Sequence, residues 1–192
     1  MKEANHLSGG RLAGGNPIRG RVDNDFYATP PEATEALFNK EKFDGTIWEP
    51  ACGNGMMAKV IMKYNYVIAS DLIDRGYGSV GIDFLASIQP AENIITNPPF
   101  SLFQEFAEHS LEIPSIKKVA LFGKLQALEG RKRADFLEKS PLKTVYVFKK
   151  RINPLRNGES KDENGKAWAS TMAFAWYVWD KEYNGETFIQ WI

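Results

Sequence analysis

Short apolar runs alternate with amphipathic helical stretches along most of this chain, and that alternation narrows the fold more than any single motif does. Thr46-Ile47-Trp48-Glu49 reads as a strand, Met56 to Tyr64 as a helix, Tyr66 to Ser70 as the next strand and Ser79 to Ile82 as a short third. A strand around Ile94 and Ile95 follows, then a helix from about Ser101 to Glu112, a strand over Lys118 to Gly123, a helix over Leu125 to Lys139 and a strand over Thr144 to Phe148. Strands separated by helices must cross over rather than fold back, which predicts an α/β fold: a mostly parallel sheet with helices on both faces. Ser170 to Trp179 is apolar on both faces and is expected as a central strand. Thr187 to Ile192 is expected as its antiparallel hairpin partner, turned by Asn184-Gly185.

At 192 residues the chain suits one domain with a full core around the sheet. Residues 1–22, rich in glycine with Arg11, Arg19 and Arg21 and almost nothing apolar, read as a flexible arm, leaving 23–192 as the domain. No apolar run approaches the roughly 20 residues of a membrane span, and no apolar signal core opens the chain. A single cysteine excludes an internal disulfide and fits a reducing cytoplasm. His6 and His109 lie far apart, read as surface residues, and give no metal constellation.

The 24 basic and 24 acidic residues cancel, but not evenly. Lys117 to Arg156 holds twelve Lys or Arg against Glu129, Asp135 and Glu138, an excess of 12 − 3 = +9. Such a segment is either a solvated helix face or a phosphate-contacting footprint, and composition alone does not choose. It runs into a polar stretch from Lys149 to Ala169, opened by Lys149, Lys150 and Arg151 and carrying Arg156, which is longer than a loop without structure usually is unless it has a function.

Chemistry concentrates at strand ends. Asn97-Pro98-Pro99-Phe100 stops its strand dead, because the prolines have fixed φ and no N–H. An amide, outward carbonyls and an aromatic ring are thereby fixed at the C-terminal end of a strand, where α/β folds place ligands. The arrangement suits gripping a planar amino group and stacking on the ring that bears it. Glu49-Pro50-Ala51-Cys52-Gly53-Asn54-Gly55 is a strand-to-helix turn whose two glycines let the backbone approach a ligand. It lacks the third glycine of a dinucleotide fingerprint and the Lys-Ser/Thr of a P-loop, which argues against NAD and ATP. Asp71, at the tip of the second strand, is placed to accept from ribose hydroxyls, and Asp83-Phe84 offers a carboxylate and a ring. Thr29 is expected to cap a helix that begins at Pro30, with Glu32 completing a capping box.

In this order the motifs resemble the gamma-type S-adenosylmethionine-dependent amino-methyltransferases, especially the N6-adenine DNA methyltransferases, in the small form common in phages and prophages. The resemblance covers residues 23–192 and implies the class I methyltransferase fold. Tyr27-Ala28-Thr29-Pro30 resembles the family's N-terminal motif against the methionine part of the cofactor. Glu49, Pro50, Ala51, Cys52, Gly53 and Gly55 resemble its cofactor turn; Asp71 with Leu72 falls at the ribose position and Asp83-Phe84 at the adenine position. Asn97, Pro98, Pro99 and Phe100 resemble its catalytic tetrapeptide, with Asn97 also beside the cofactor. S-adenosylmethionine is the implied cofactor, with no metal, and DNA the implied partner. RNA adenine or guanine, a protein glutamine amide, or a non-catalytic DNA-binding role remain alternatives. Larger members add a target-recognition domain for which this chain has no room, so either the 149–169 loop and the arm do the recognition, or specificity is low, or a partner supplies it; Lys149, Lys150, Arg151 and Arg156 are the residues expected on nucleic acid. Oligomeric state is left open.

Overall fold

The computed structural model describes residues 27–153, 155–156 and 172–192. In chain order the elements are β1 (Tyr27–Ala28), α1 (Pro31–Phe38), β2 (Ile47–Glu49), α2 (Met56–Ile61), β3 (Val67–Asp71), β4 (Ser79–Val80), β5 (Asn93–Thr96), α3 (Phe103–Glu112), β6 (Lys118–Lys124), α4 (Arg131–Lys139), β7 (Leu142–Val147), β8 (Leu155–Arg156), β9 (Phe174–Asp180) and β10 (Phe188–Trp191). Eight strands form one sheet in the order β10-β7-β9-β6-β5-β2-β3-β4, and β1 pairs with β8 in a separate ribbon. Every neighbouring pair in the large sheet is parallel except those that β9 makes with β6 and β7. The expected α/β class, with a mostly parallel sheet covered on both faces, is the one found.

β9 shows why the sheet is buried on both sides. Side chains alternate across a strand, and Phe174, Trp176 and Val178 enter one core with Leu37, Met57, Ile61 and Phe122, while Ala175, Tyr177 and Trp179 enter the other with Trp48, Phe106 and Val119. Burying each such aromatic contributes on the order of 2–3 kcal/mol. Their polar atoms are also satisfied, as buried indoles require: Trp176 donates to the Ala33 carbonyl (2.8 Å), pinning α1 to the sheet, and Trp48 donates to Ser70 Oγ (2.8 Å).

The expected C-terminal hairpin is corrected. Both edges of β9 are taken, by β6 and β7, so the chain after Asn184-Gly185 has no edge of β9 to pair with. It passes β7 instead and β10 pairs parallel with that strand's outer edge, Phe188 opposite Thr144 through Trp191 opposite Val147.

Two helix readings also shift. α1 begins at Pro31 with Pro30 as N-cap and no side-chain cap bond, so the Thr29 hydroxyl is not a capping group; it is buried without a partner. The single helix expected over Leu125 to Lys139 is broken by Gly130 (φ 108°) into a 3-10 turn, Leu125–Leu128, and α4. Arg133 folds back to donate to the Ala127 and Glu129 carbonyls, so one member of the basic run satisfies the end of that turn. His109 is half-buried rather than a surface residue, its ring edge-on to Phe84 (4.8 Å) and its Nε2 3.0 Å from the Ser87 carbonyl oxygen. The arm, residues 1–22, and His6 lie outside the described residues.

Candidate active site

β2 has β5 on one side and β3 on the other, so the crossovers leave it in opposite directions and a crevice opens above its C-terminal end. A cleft of about 480 Å3 occupies this position, reached by the ends of β1, β2, β3 and β5. Tyr27, Thr29, Glu49, Pro50, Ala51, Cys52, Asp71, Leu72, Asp83, Phe84, Asn97 and Pro99 all line it. Pro30, Gly53, Gly55, Pro98 and Phe100 are not among its lining residues.

The glycine turn is held by its neighbours as well as by its own torsions. Gly53 and Gly55 have φ of 55° and 77°, the left-handed region that other residues rarely adopt. A Cβ at Gly55 would also enter the ring of Tyr77. Tyr77 sits over the turn, its carbonyl oxygen accepting from Cys52 Sγ at 3.5 Å and its ring 5.3 Å from the Lys59 ammonium. Burial pushes the Cys52 thiol up to about 12, so it stays protonated and inert. Asp71 closes the turn from the other side. Its Oδ2 accepts from the Gly53 N–H (2.8 Å) and its Oδ1 from the Ile73 N–H (2.9 Å), which leaves one further acceptor direction on each oxygen.

Glu49 ends β2 inside the crevice and is 2% exposed. Its Oε2 has no hydrogen-bond partner among the described residues. Burial holds its carboxyl well above the ordinary carboxylate range; an N–H of Ala58 partly opposes this, and the nearby negative charge of Asp71 adds to it. A polar atom this deep without a partner is uncommon in a folded protein and marks Glu49 as a candidate site residue.

Asn97 follows β5 directly. Its Nδ2 donates to the Tyr27 carbonyl at 2.6 Å, and its Oδ1 is buried without a donor among the described residues. The side chain is thus oriented through one atom while its acceptor is left unused. Tyr27 in turn lies in register opposite Arg156, so the ribbon ties the start of the polar loop to this amide. Beside it the Phe100 ring stacks on Tyr27 (centroids 5.8 Å apart, planes 22° apart), with the Lys124 ammonium 4.6 Å from its centroid.

Other sequence expectations meet a denser structure. Phe84 touches the cleft but is 2% exposed and packs on Trp48 and Phe106, so its ring is as much core as cleft wall. Asp83 is exposed, with Oδ1 capping the Leu85 N–H (3.0 Å). Lys149, Lys150 and Arg151 are exposed and follow the C-terminal end of β7, on the sheet edge where the cleft opens. Arg156 is on β8, paired with Tyr27. The sequence reading missed Tyr77, Ile73, Arg75, Ser101 and Phe106, of which the last four line the cleft. The glycine-flanked Arg75-Gly76-Tyr77-Gly78 was the available signal, since such glycines mark close backbone approach. Among the described residues there is no helix long and apolar enough to cross a membrane and no cluster of three or more His, Cys, Asp or Glu able to hold a metal ion.

No protein family and no curated protein matches the sequence. Solved structures do match in fold. A candidate RNA methyltransferase from Pyrococcus horikoshii superposes with a TM-score of 0.56 at 14% identity, over 78% of this chain and 81% of that one. The modification subunit of a candidate type I restriction enzyme from Vibrio vulnificus gives 0.53 at 14% identity, over 86% of this chain but only 46% of its own. The 23S rRNA methyltransferase ErmE gives 0.52 at 14% identity, over 79% and 66%. With its strand order, its single reversed strand and its cleft above β2, the chain has the Rossmann-like class I methyltransferase fold.

Proposed function

We propose that this chain uses S-adenosylmethionine to methylate the exocyclic N6 amine of adenine in DNA. The observation that carries the reading is that Asn97, with an unused acceptor, and Glu49, with an orphaned carboxyl oxygen, line one cleft. The lining fits the cofactor chemically. Glu49 is matched to an ammonium, the spare acceptor directions of Asp71 to ribose hydroxyls, and Leu72, Ile82 and Phe84 to the flat faces of a purine. When bound, S-adenosylmethionine supplies an electrophilic methyl group on a sulfonium.

The chain's own task is to prepare the amine. The N6 lone pair is delocalised into the ring, and acceptance of both N6 hydrogens by Asn97 Oδ1 and the Pro98 carbonyl returns density to nitrogen and fixes its direction. The Tyr27 carbonyl holds Asn97 Nδ2 away from the amine, so the oxygen and not the NH2 group faces it. The proton leaves after nitrogen has gained the methyl group, so no strong general base is required. A base in duplex DNA must be turned out of the stack first, and Phe100 with Tyr27 offers the aromatic wall for it. The basic residues Lys149, Lys150, Arg151 and Arg156 are assigned to the phosphate backbone.

Expression in a methylation-free host, followed by mapping of modified bases, tests the reading. N6-methyladenine at a defined motif supports it. Unmodified DNA alongside methylated RNA moves the substrate class to RNA, and failure to bind S-adenosylmethionine by calorimetry removes the enzyme reading.

A further inference from the structure

Lys124 ends β6 beside the tetrapeptide. β6 pairs in parallel with β5 as far as Thr96 opposite Leu121, so three further residues carry one chain to Pro99 and the other to Lys124. Side chains alternate along the strand. Phe122 enters the core with Phe174 and Trp176, and Lys124 leaves β6 on that same face, in register with Phe174. Its main chain is anchored by the Tyr177 hydroxyl, which donates to the Lys124 carbonyl at 2.9 Å. The side chain is half-buried, and its ammonium stands over the Phe100 ring, 4.6 Å from the centroid. Phe174 packs on that ring at 5.7 Å and stacks on Phe122 at 5.2 Å, so Phe100 is the outermost of three packed rings. Asn97 and Pro99 line the cofactor cleft; Phe100 and Lys124 do not, so the ammonium is outside the space assigned to the cofactor.

The ends of β6 and β7 are level, because Ala175 pairs with Gly123 on one edge and with Val147 on the other. Lys124 therefore comes between Asn97 at the end of β5 and the run Lys149, Lys150, Arg151 past β7, about 10 Å or two strand spacings from the latter strand. It continues that basic row toward the target amine. An aromatic face attracts an ammonium through its quadrupole, but an oxygen anion holds it better, since it also accepts its hydrogens. Resting on the reading of this site as an N6-adenine methyltransferase, we propose that Lys124 binds the phosphate of the target nucleotide itself. A base laid against Phe100 takes the place that the ammonium holds over the ring. The flexible four-carbon stem then carries the charge aside to the phosphate that arrives with that base. Lys124 thus covers the aromatic wall until a nucleotide comes, and then holds its backbone while Asn97 and the Pro98 carbonyl hold its amine. A glutamine side chain brings no phosphate, so the contact selects nucleic acid over a protein amide.

Calorimetric titration of the full chain, its cofactor cleft filled with S-adenosylhomocysteine, tests this with two probes, deoxyadenosine and deoxyadenosine 3′,5′-bisphosphate. The parent is expected to bind the bisphosphate at least about tenfold more tightly, as one charge-assisted contact gives. Lys124→Met keeps the stem without the charge. It should lose most of that preference and bind the plain nucleoside at least as well as the parent does. Lys124→Arg should keep the preference, and so should Lys117→Gln, which removes the same formal charge from the far end of the sheet. Failure of S-adenosylhomocysteine to bind would remove the enzyme reading and this proposal with it. With S-adenosylhomocysteine bound, three results would overturn the role of Lys124 alone: a parent that binds both probes alike or neither, a preference that survives in Lys124→Met, or a loss of nucleoside affinity in that variant, which would put the ammonium on the base.

Discussion

Asn97 donates its side-chain amide to the main-chain carbonyl of Tyr27 at 2.6 Å, across 70 residues of sequence, and this contact fixes the amide while its buried Oδ1 has no donor among the described residues. It assigns the nitrogen a structural partner and leaves the acceptor capacity of the oxygen unused. Asn97→Ala should therefore cut methyl transfer by about 10²–10³, as loss of one preorganised group commonly does, while the cofactor dissociation constant by calorimetry stays within a few-fold. Asn97→Asp should also fail, because a carboxylate has no hydrogen to give the Tyr27 carbonyl. Full turnover in Asn97→Ala would remove Asn97 from the chemistry, and full turnover in Asn97→Asp would remove the need for the Tyr27 contact.

Glu49 trades stability for binding. Its folded-state proton is held well above the ordinary value of 4.5, chiefly by burial. Between 4.5 and that raised value the folded chain binds more protons than the unfolded one. The stabilisation from the protonated acid is thus complete below about 4.5 and is lost as pH rises through the folded value. Glu49→Gln keeps the shape without the ionisation. At neutral pH it should melt higher than the parent, by roughly 2–4 °C for each kcal/mol gained, with the gap closing as pH falls toward 4.5. The same variant should bind S-adenosylmethionine about 10- to 100-fold more weakly, having lost a charge-assisted bond. A variant that melts like the parent at every pH would contradict the burial argument, and unchanged affinity would contradict the ammonium assignment.

Gly55 and Tyr77 form one unit, and a double-mutant cycle separates the two reasons for the glycine. Gly55→Ala meets both an unfavourable φ and the Tyr77 ring, and should destabilise the fold by about 1–3 kcal/mol. Tyr77→Ala opens the space but leaves the torsion. Denaturant melts of the double variant should therefore show partial recovery, less than additive loss by at least about 0.5 kcal/mol. Strict additivity would mean that the ring does not restrain the turn.

The parallel sheet was legible because each strand announces itself locally: Ile94-Ile95 before two prolines, Val119 to Phe122 between helices, and a β9 apolar on both faces. The meeting of Glu49 and Asn97 in one cleft followed from the same logic, since both end strands that the crossovers force side by side. Legibility stopped where an outcome depended on which edge or cavity was already taken. Nothing local to Thr187–Ile192 reveals that β9 has no free edge, so the nearest turn looked like a hairpin. Arg133 read as part of a charged run because the carbonyls it satisfies are exposed only by the break at Gly130. Phe84 lines the cleft as expected, but its packing on Trp48 and Phe106 is tertiary and left no local trace.

The basic segment divides by sheet edge, and that division yields a paired test. Lys117, Lys118 and Lys143 lie at the N-terminal ends of β6 and β7, away from the cleft, where Lys118 and Lys143 sit 3.7 Å and 3.4 Å from Asp180. Lys150 is exposed just past the C-terminal end of β7, on the same end of the sheet as the cleft. Each phosphate contact contributes close to one unit to the salt dependence of binding. Lys150→Gln should weaken DNA binding across all sequences and flatten the plot of log affinity against log salt by about 1, with cofactor affinity unchanged. Lys117→Gln removes the same formal charge from the opposite edge and should change neither slope nor affinity. Equal effects from the two would mean that net charge, not a built path to the cleft, governs nucleic-acid binding, and identical slopes in both variants and the parent would leave the whole segment as a solvated face.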